Sequence, residues 1–269
     1  VLLEDLGISP YSSRIAFLHG NTGEFLVNMT NSFTTAHSLL LNKTHVSKLN
    51  LVNIINTARG YYSTKWIQHH ENHRIGDLGQ VILLLAPRIH LTDAERNSAL
   101  FSLKSLRTLH PDVNIVYYTL PENTENIRKL LKAQDYLITS SRINDISSYL
   151  LEVPHSLRPG ACNPNVTLGV RDQVEGYVHP LEVNVYRLDP RWRINTERVA
   201  MKIVGFGYGA LEVCMWSQRR NSVSRSLMSC KELAGNSEAD LTDYDHCNDE
   251  DCPAIYYRVR GHSSMKKCT

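Results

Sequence analysis

The residues best equipped for chemistry lie in a few short clusters. His69, His70, Glu71 and His73 form an HHENH run. Zinc held on a helix uses H-E-x-x-H, because residues four apart lie on one face and both imidazoles then reach one ion. Here His70 and His73 are three apart, the stretch reads as a polar loop, and no third ligand is indicated, so a solvated connector is the expectation. His37, His45 and His90 join only if the fold gathers them. A second cluster is acidic: Cys247-Asn-Asp-Glu-Asp-Cys252, with Asp240, Asp243 and Asp245 upstream. Calcium takes six to eight oxygens from such loops, but the spacing and central glycine of an EF-hand are missing. An exposed acidic turn pinned by disulfides is expected; with Arg219, Arg220 and Arg225 in another loop it offers charge complementarity to a partner or a neighbouring copy.

Two further motifs are weaker. Ile15 to Gly20 (IAFLHG) resembles the His-Gly loop of α/β-hydrolases, which implies a secreted hydrolase acting through His19 or through the 69–73 loop as the rival reading. That family needs a serine in G-x-S-x-G on a strand-to-helix elbow, and no such pentapeptide occurs. Gly205 to Gly209 (GFGYG) has neither the spacing nor the following helix of a dinucleotide site, so it reads as a bend. No metal and no cofactor are expected.

All six cysteines follow residue 161: Cys162, Cys214, Cys230, Cys247, Cys252 and Cys268. An even number confined to one region points to disulfides and an oxidising compartment. Six cysteines permit fifteen pairings; Cys214–Cys230 and Cys247–Cys252 are favoured as local ties, which leaves Cys162–Cys268. Sequons at Asn28, Asn42 and Asn165 agree with a secreted, extracellular glycoprotein. Net charge is +2, with no basic patch interleaved with aromatics, which speaks against nucleic acid. No apolar run approaches the ~20 residues of a membrane span.

The element that must position the rest is Gln80 to Leu120. Val81 to Leu85 is an unbroken apolar run, the mark of a buried parallel strand. Asp93 is the expected N-cap of a helix in which Leu100, Leu103, Leu106 and Leu109 form the inner stripe, with Arg96, Lys104 and Arg107 facing solvent. His110-Pro111-Asp112 ends it, and Val113 to Tyr118 forms the next strand. Upstream, Arg14 to His19 and Glu24 to Met29 read as a hairpin, followed by helices over Ser32 to Leu41 and Leu49 to Tyr62. Downstream come a helix over Thr124 to Lys132, a strand over Tyr136 to Thr139 and a helix over Ile143 to Glu152. After a Pro/Gly/Asn-rich connector (153–180) the period changes to two, with strands over 181–186, 198–204, 210–216 and 254–260, predicting a small disulfide-bonded β-sandwich over 181–269.

The words LLEDLGISPYSSRIAFLHG, GEFLVNMT, LNLVNIINTARG, GQVILLLAP, HPDVNIVYYTL and QDYLITSSRINDISSYLLE follow one another in the order of the von Willebrand factor A domain. Residues 1–152 resemble that family, which implies a doubly wound, mostly parallel α/β sheet and a function in protein binding, cell adhesion or extracellular assembly. The resemblance also implies two departures. The family's first, central strand, with its D-x-S-x-S metal ligands, has no counterpart here, so that strand is expected from another segment or chain, from self-assembly, or from residues that go unseen. A processed subunit of a larger extracellular precursor is the third reading. Leu49 stands where the family has its Thr ligand and Ala86-Pro87 where it has its Asp; neither Leu nor Ala offers a side-chain oxygen. Thr44, Ser47 and Asp93 are the nearest oxygens in sequence. A non-enzymatic binding surface with a degenerate adhesion site is therefore expected around Leu49, Ala86, Pro87, Arg88 and Ser140.

Overall fold

The fold is seen in a computed structural model, which describes residues 8, 13–41, 49–70, 79–86, 88–132, 135–139, 143–151, 153–157, 176, 178–194, 199–206, 209–218, 228–243, 247–248 and 252–262. The chain divides into two compact units, Val1–Glu71 with Val81–Leu151, and Asn72–Gln80 with Glu152–Thr269. In the first, β1 (Ile15–Leu18) and β2 (Phe25–Thr30) form a hairpin, followed by α1 (Phe33–Leu41) and α2 (Leu51–His70). Then come β3 (Val81–Leu85), α3 (Asp93–Leu109), β4 (Asn114–Tyr118), α4 (Thr124–Arg128), β5 (Tyr136–Ile138) and α5 (Ile143–Leu151).

Strands β3, β4 and β5 are parallel and lie side by side in chain order. The described strands of the chain fall into four separate small sheets, and only this three-stranded one is wholly parallel. The expected doubly wound sheet, with helices wound in both directions from a switch point, is thus not what the described residues form. The β1–β2 hairpin makes its own two-stranded sheet, with irregular register between Ile15, Phe17 and Leu18. Its turn is docked onto α2: Asn50 N–H donates to the Gly20 carbonyl at 2.7 Å, and Asn53 Nδ2 donates to the Asn21 carbonyl at 3.0 Å. Gly23 sits there at φ 75°, and a Cβ would stand 2.7 Å from the Asn53 backbone, so only glycine fits.

The core of this unit joins Leu51, Ile54 and Ile55 of α2, Ala99, Leu103 and Leu106 of α3, and Leu84, Ile115 and Tyr117 of the sheet. Helix α3 starts one residue earlier in its capping than expected. Thr92, not Asp93, is the N-cap, and Thr92 and Glu95 exchange side-chain and backbone hydrogen bonds as a capping box. The leucine stripe also needs correction. Residues three apart are offset by about 60° around a helix, so Leu100 and Leu109 stand on opposite sides. Leu109 is exposed, and Arg107, expected in solvent, is buried and ion-paired with Asp135, itself buried. Asp135 also accepts from the Lys132 amide at 3.0 Å.

The second unit contains β6 (His155–Leu157), β7 (Val183–Leu188), β8 (Val199–Val204), β9 (Ala210–Gln218), β10 (Ser229–Ala234), β11 (Glu238–Asp243) and β12 (Ala254–Gly261). One five-stranded sheet runs β10-β9-β12-β7-β6, antiparallel except for the parallel β6–β7 pair. Strands β8 and β11 form a separate ribbon. Leu188, Val213, Ile255, Tyr257 and Val259 of the sheet pack with Ala239 and Leu241 of the ribbon. The second layer is thus two strands deep, not the second sheet of an even sandwich. The five-stranded sheet also recruits β6 from the stretch read as connector.

Polar groups are buried here too. Arg193 is 1% exposed and its Nη1 donates to Asp243 at 2.7 Å, while Arg187 Nη2 meets Asp189 at 3.4 Å. Asp189 in turn accepts from the Arg191 amide, closing the turn at Pro190–Trp192. Cys214 pairs with Cys230 and Cys247 with Cys252 as disulfides. Cys162 and Cys268 lie outside the described residues.

Two measurements follow from these buried charges and hydroxyls. Asp135→Ala leaves the Arg107 guanidinium buried without its carboxylate, and should cost about 3–5 kcal/mol of stability in urea unfolding; an unchanged midpoint would remove the pair from the account. Burial pushes the Tyr257 hydroxyl up to about 12, with the Asp243 carboxylate adding to the shift and Arg193 opposing it. The folded value lies above the ordinary 10.0, so Tyr257's contribution is intact below pH 10 and is lost as pH rises from 10 through 12. Burial raises Tyr62 and Tyr117 in the same sense. Alkaline melts should therefore lose stability in that window, and Tyr257→Phe should reduce the total loss across it by up to roughly 2–3 kcal/mol.

Candidate functional site

The feature of the α/β unit that packing leaves unfinished is β3. Its register with β4 runs from Val81 opposite Asn114 to Leu85 opposite Tyr118. Ile82 and Leu84 therefore share the face of Ile115 and Tyr117 toward the core, while Val81, Leu83 and Leu85 lie on the opposite face. All five side chains are apolar, yet only Leu84 is buried; Val81, Ile82 and Leu83 are half-buried and Leu85 is 49% exposed. By contrast, Asn114 to Tyr117 of β4 are all buried. The reason is position. Strand β4 is central, whereas β3 has a hydrogen-bonded neighbour on one side among the described residues.

The loop after β3 is pinned. Ala86 N–H donates to the Tyr118 carbonyl at 2.9 Å, Asn126 Nδ2 donates to the Ile89 carbonyl at 2.9 Å, and the capping box at Thr92 closes it. Ala86 and Ile89 are buried in the same core against which Leu49 packs. The expected adhesion-site face is thereby altered. Leu49 and Ala86 belong to one packed core as packing residues, and Arg88 is exposed. Pro87 and Ser140 lie outside the described residues, as do Thr44 and Ser47. No group of three His, Cys, Asp or Glu side chains able to hold a metal occurs among the described residues.

The histidines divide as follows. His19 Nδ1 accepts from the Thr22 amide at 3.1 Å and lies 3.1 Å from the Thr22 hydroxyl, which donates to Glu24 at 3.3 Å. In a catalytic triad the carboxylate orients the imidazole through its other nitrogen. Here it bonds the hydroxyl instead, and His19 locks the hairpin turn. His69 and His70 belong to the end of α2, not to a loop, because the helix runs on past the expected stop at Tyr62. Glu71, His73 and His45 lie outside the described residues. His37 stacks on Phe33 at 5.6 Å, and His90 is exposed. A pair that sequence reasoning missed is Ser63 Oγ and His110 Nε2, 3.1 Å apart, with the Tyr62 ring 5.7 Å from the imidazole. It ties α2 to the end of α3. It carries the hydroxyl–imidazole half of a nucleophilic site, which would also need an orienting group and oxyanion donors. The two residues are 47 apart in the chain, so no local motif announces them.

In the second unit the acidic cluster is divided. Asp243 serves Arg193, and Asp240 lies on β11 with its carbonyl accepting from Lys231. Asp245 and Asp249 to Asp251 lie outside the described residues, as do Arg219, Arg220, Arg225 and Tyr208. Of the sequons, Asn28 is exposed on β2, and Asn42 and Asn165 lie outside the described residues. No described helix is long and apolar enough to cross a membrane. No protein-family model matches the chain, and no curated protein matches it.

One backbone outlier stands on the surface of this unit. Leu181 has φ 69° and its side chain is 64% exposed. Glu182 N–H donates to the His179 carbonyl at 3.0 Å and Leu181 N–H to the Gly261 carbonyl at 2.9 Å, which hold it there. Proline at the second position and positive φ at the third are the pattern of a type II turn, where glycine is usual. Leu181→Gly should therefore raise stability by about 1 kcal/mol. A fall in the thermal midpoint would show that the leucine side chain contributes more than its backbone costs.

Proposed function

We propose that the chain is a secreted, glycosylated, non-enzymatic binding or assembly protein whose α/β unit accepts a β-strand along the edge of β3 that has no neighbour among the described residues. The carrying observation is the Val81–Leu85 edge, apolar on both faces and only half covered. Sheet edges that are meant to meet water carry charge, proline or a bulge, because an apolar edge is a template for another strand. Strand addition satisfies the edge amides and carbonyls and covers Leu83 and Leu85 in one step. The donor is a partner chain, a second copy, or another segment of a longer precursor.

The two disulfides support an oxidising compartment, and the exposed Asn28 in its sequon supports glycan attachment there. The likeness in element order to von Willebrand factor A domains over residues 1–152 supports the same class, extracellular protein binding. Ala86 and Leu49 favour contact through shape and backbone pairing over an ion held by side-chain oxygens.

Hydrogen exchange tests the reading directly. In the 269-residue chain alone the outward amides of β3 should exchange freely. In the protein recovered from its natural extracellular setting they should be protected, while β4 is protected in both. Equal exchange of β3 in the two preparations would overturn strand addition. Leu83→Lys should abolish the added protection without unfolding β4.

A further inference from the structure

The disulfide between Cys214 and Cys230 joins residues directly opposite each other on β9 and β10. Its two ends differ. Cys214 is fully buried, and Cys230 is exposed on an edge strand of the five-stranded sheet. The neighbouring strand brings Arg258 into register with Cys214. Arg258 Nη2 lies 3.3 Å from Cys214 Sγ and 2.7 Å from Glu212 Oε1, and both Arg258 and Glu212 are about two-thirds or more covered. The other disulfide is set differently: Cys247 Sγ is 3.9 Å from the Pro190 carbonyl oxygen, a negative dipole end.

We infer that Cys214–Cys230 is a thiol-exchange site, with Cys230 as the sulfur attacked and Cys214 as the leaving thiolate. A small extracellular thiol, as its thiolate, attacks Cys230 Sγ along the exposed strand. A new sulfur–sulfur bond forms to Cys230, the Cys214–Cys230 bond breaks, and the electron pair leaves on Cys214. A buried thiolate is costly in an apolar setting, and a guanidinium beside it removes that cost. Exchange quickens as the leaving thiol becomes more acidic, so Arg258 sets which sulfur departs. A second thiol then attacks the adduct, carrying away the oxidised reductant and leaving Cys230 as a thiolate, and each protein thiolate takes a proton from water when it is released from charge. Glu212 opposes this, because its carboxylate shares the Arg258 charge. The product is a β10 no longer covalently tied to β9, at one edge of the sheet.

The test is exchange of the oxidised full chain in reduced glutathione at fixed neutral pH, with timed alkylation and peptide mass mapping. Cys214–Cys230 should open before Cys247–Cys252, and the glutathione adduct should sit on Cys230. Arg258→Met should slow opening by roughly three- to tenfold, while Arg258→Lys keeps most of the rate and Glu212→Gln raises it. Adduct on Cys214, prior opening of Cys247–Cys252, or equal rates in the wild type and a folded Arg258→Met chain would overturn the assignment. The adduct position is read on the wild type, so the inference is decided even if the methionine variant fails to fold.

Discussion

A guanidinium and a carboxylate that cannot reach water hold the frame of the α/β unit. Arg107 enters from α3 and Asp135 from the turn that precedes β5, and both are buried. Neither could stay there alone, because an isolated buried charge costs far more than one helix contact returns. Their pairing therefore fixes the rotation of α3 about its axis. It also fixes where β5 begins, since the same carboxylate accepts from the Lys132 amide. With α3 so turned, Ala99, Leu103 and Leu106 meet Leu84, Ile115 and Tyr117, and the sheet is covered on that side. Tyr117, buried on β4, feels both charges: burial and Asp135 hold its hydroxyl protonated, and Arg107 opposes them.

The second unit solves the same problem with different geometry. Arg193 and Asp243 join the turn after β7 to the end of β11 in the two-stranded ribbon, and Arg187 and Asp189 stay within β7 and its turn. The apolar cluster of the sheet and ribbon is thus flanked by a polar seam, in which Arg193 on the sheet side meets Asp243 of the ribbon. Tyr257 lies where the two meet, with its hydroxyl shifted by burial and by the Asp243 charge. Disulfides then act on segments that packing holds least. One ties the edge strand β10 to β9, and the other closes the short loop from Cys247 to Cys252.

How much of this could be read from residues alone depended on the kind of signal. The β3–α3–β4 unit was legible because an apolar run, a helical period and a His-Pro-Asp stop agree in one stretch. The winding of the sheet was not, since strand order is a long-range property that local pattern does not encode. Arg107 was read as solvent-facing because its charge is visible in sequence and its partner, 28 residues away, is not. Strands β10 and β11, SCKELA and EADLTD, were missed because edge and ribbon strands carry polar residues that mask the two-residue period. Strand β6 lay hidden in a proline-rich stretch, and only its pairing with β7 makes it a strand. For the candidate site, that Ala86 and Leu49 offer no side-chain oxygen is legible from residue type alone. Ala86 is buried and Leu49 packs half-buried against the same core, a meeting that no spacing within either segment reveals.

The two units also differ in how they treat a sheet edge, and the contrast bears on function. Strand β10 is an edge managed for water: Lys231 and Glu232 are exposed, Cys230 is covalently held, and only Leu233 is buried. A strand of that composition discourages a further neighbour by charge and by the cost of burying it. Strand β3 has none of these devices over its five residues. An apolar strand of this kind is the composition of a sheet interior, where both neighbours are present and both faces are covered. Its backbone groups on the outer side face the same demand, since an amide or carbonyl shielded by apolar side chains from both water and a partner loses about 1–3 kcal/mol. A free β3 edge is therefore at odds with its own sequence, whereas a free β10 edge is not. Strand addition would remove that conflict at β3 and would create one at β10, so the proposed assembly edge lies in the first unit and not in the second.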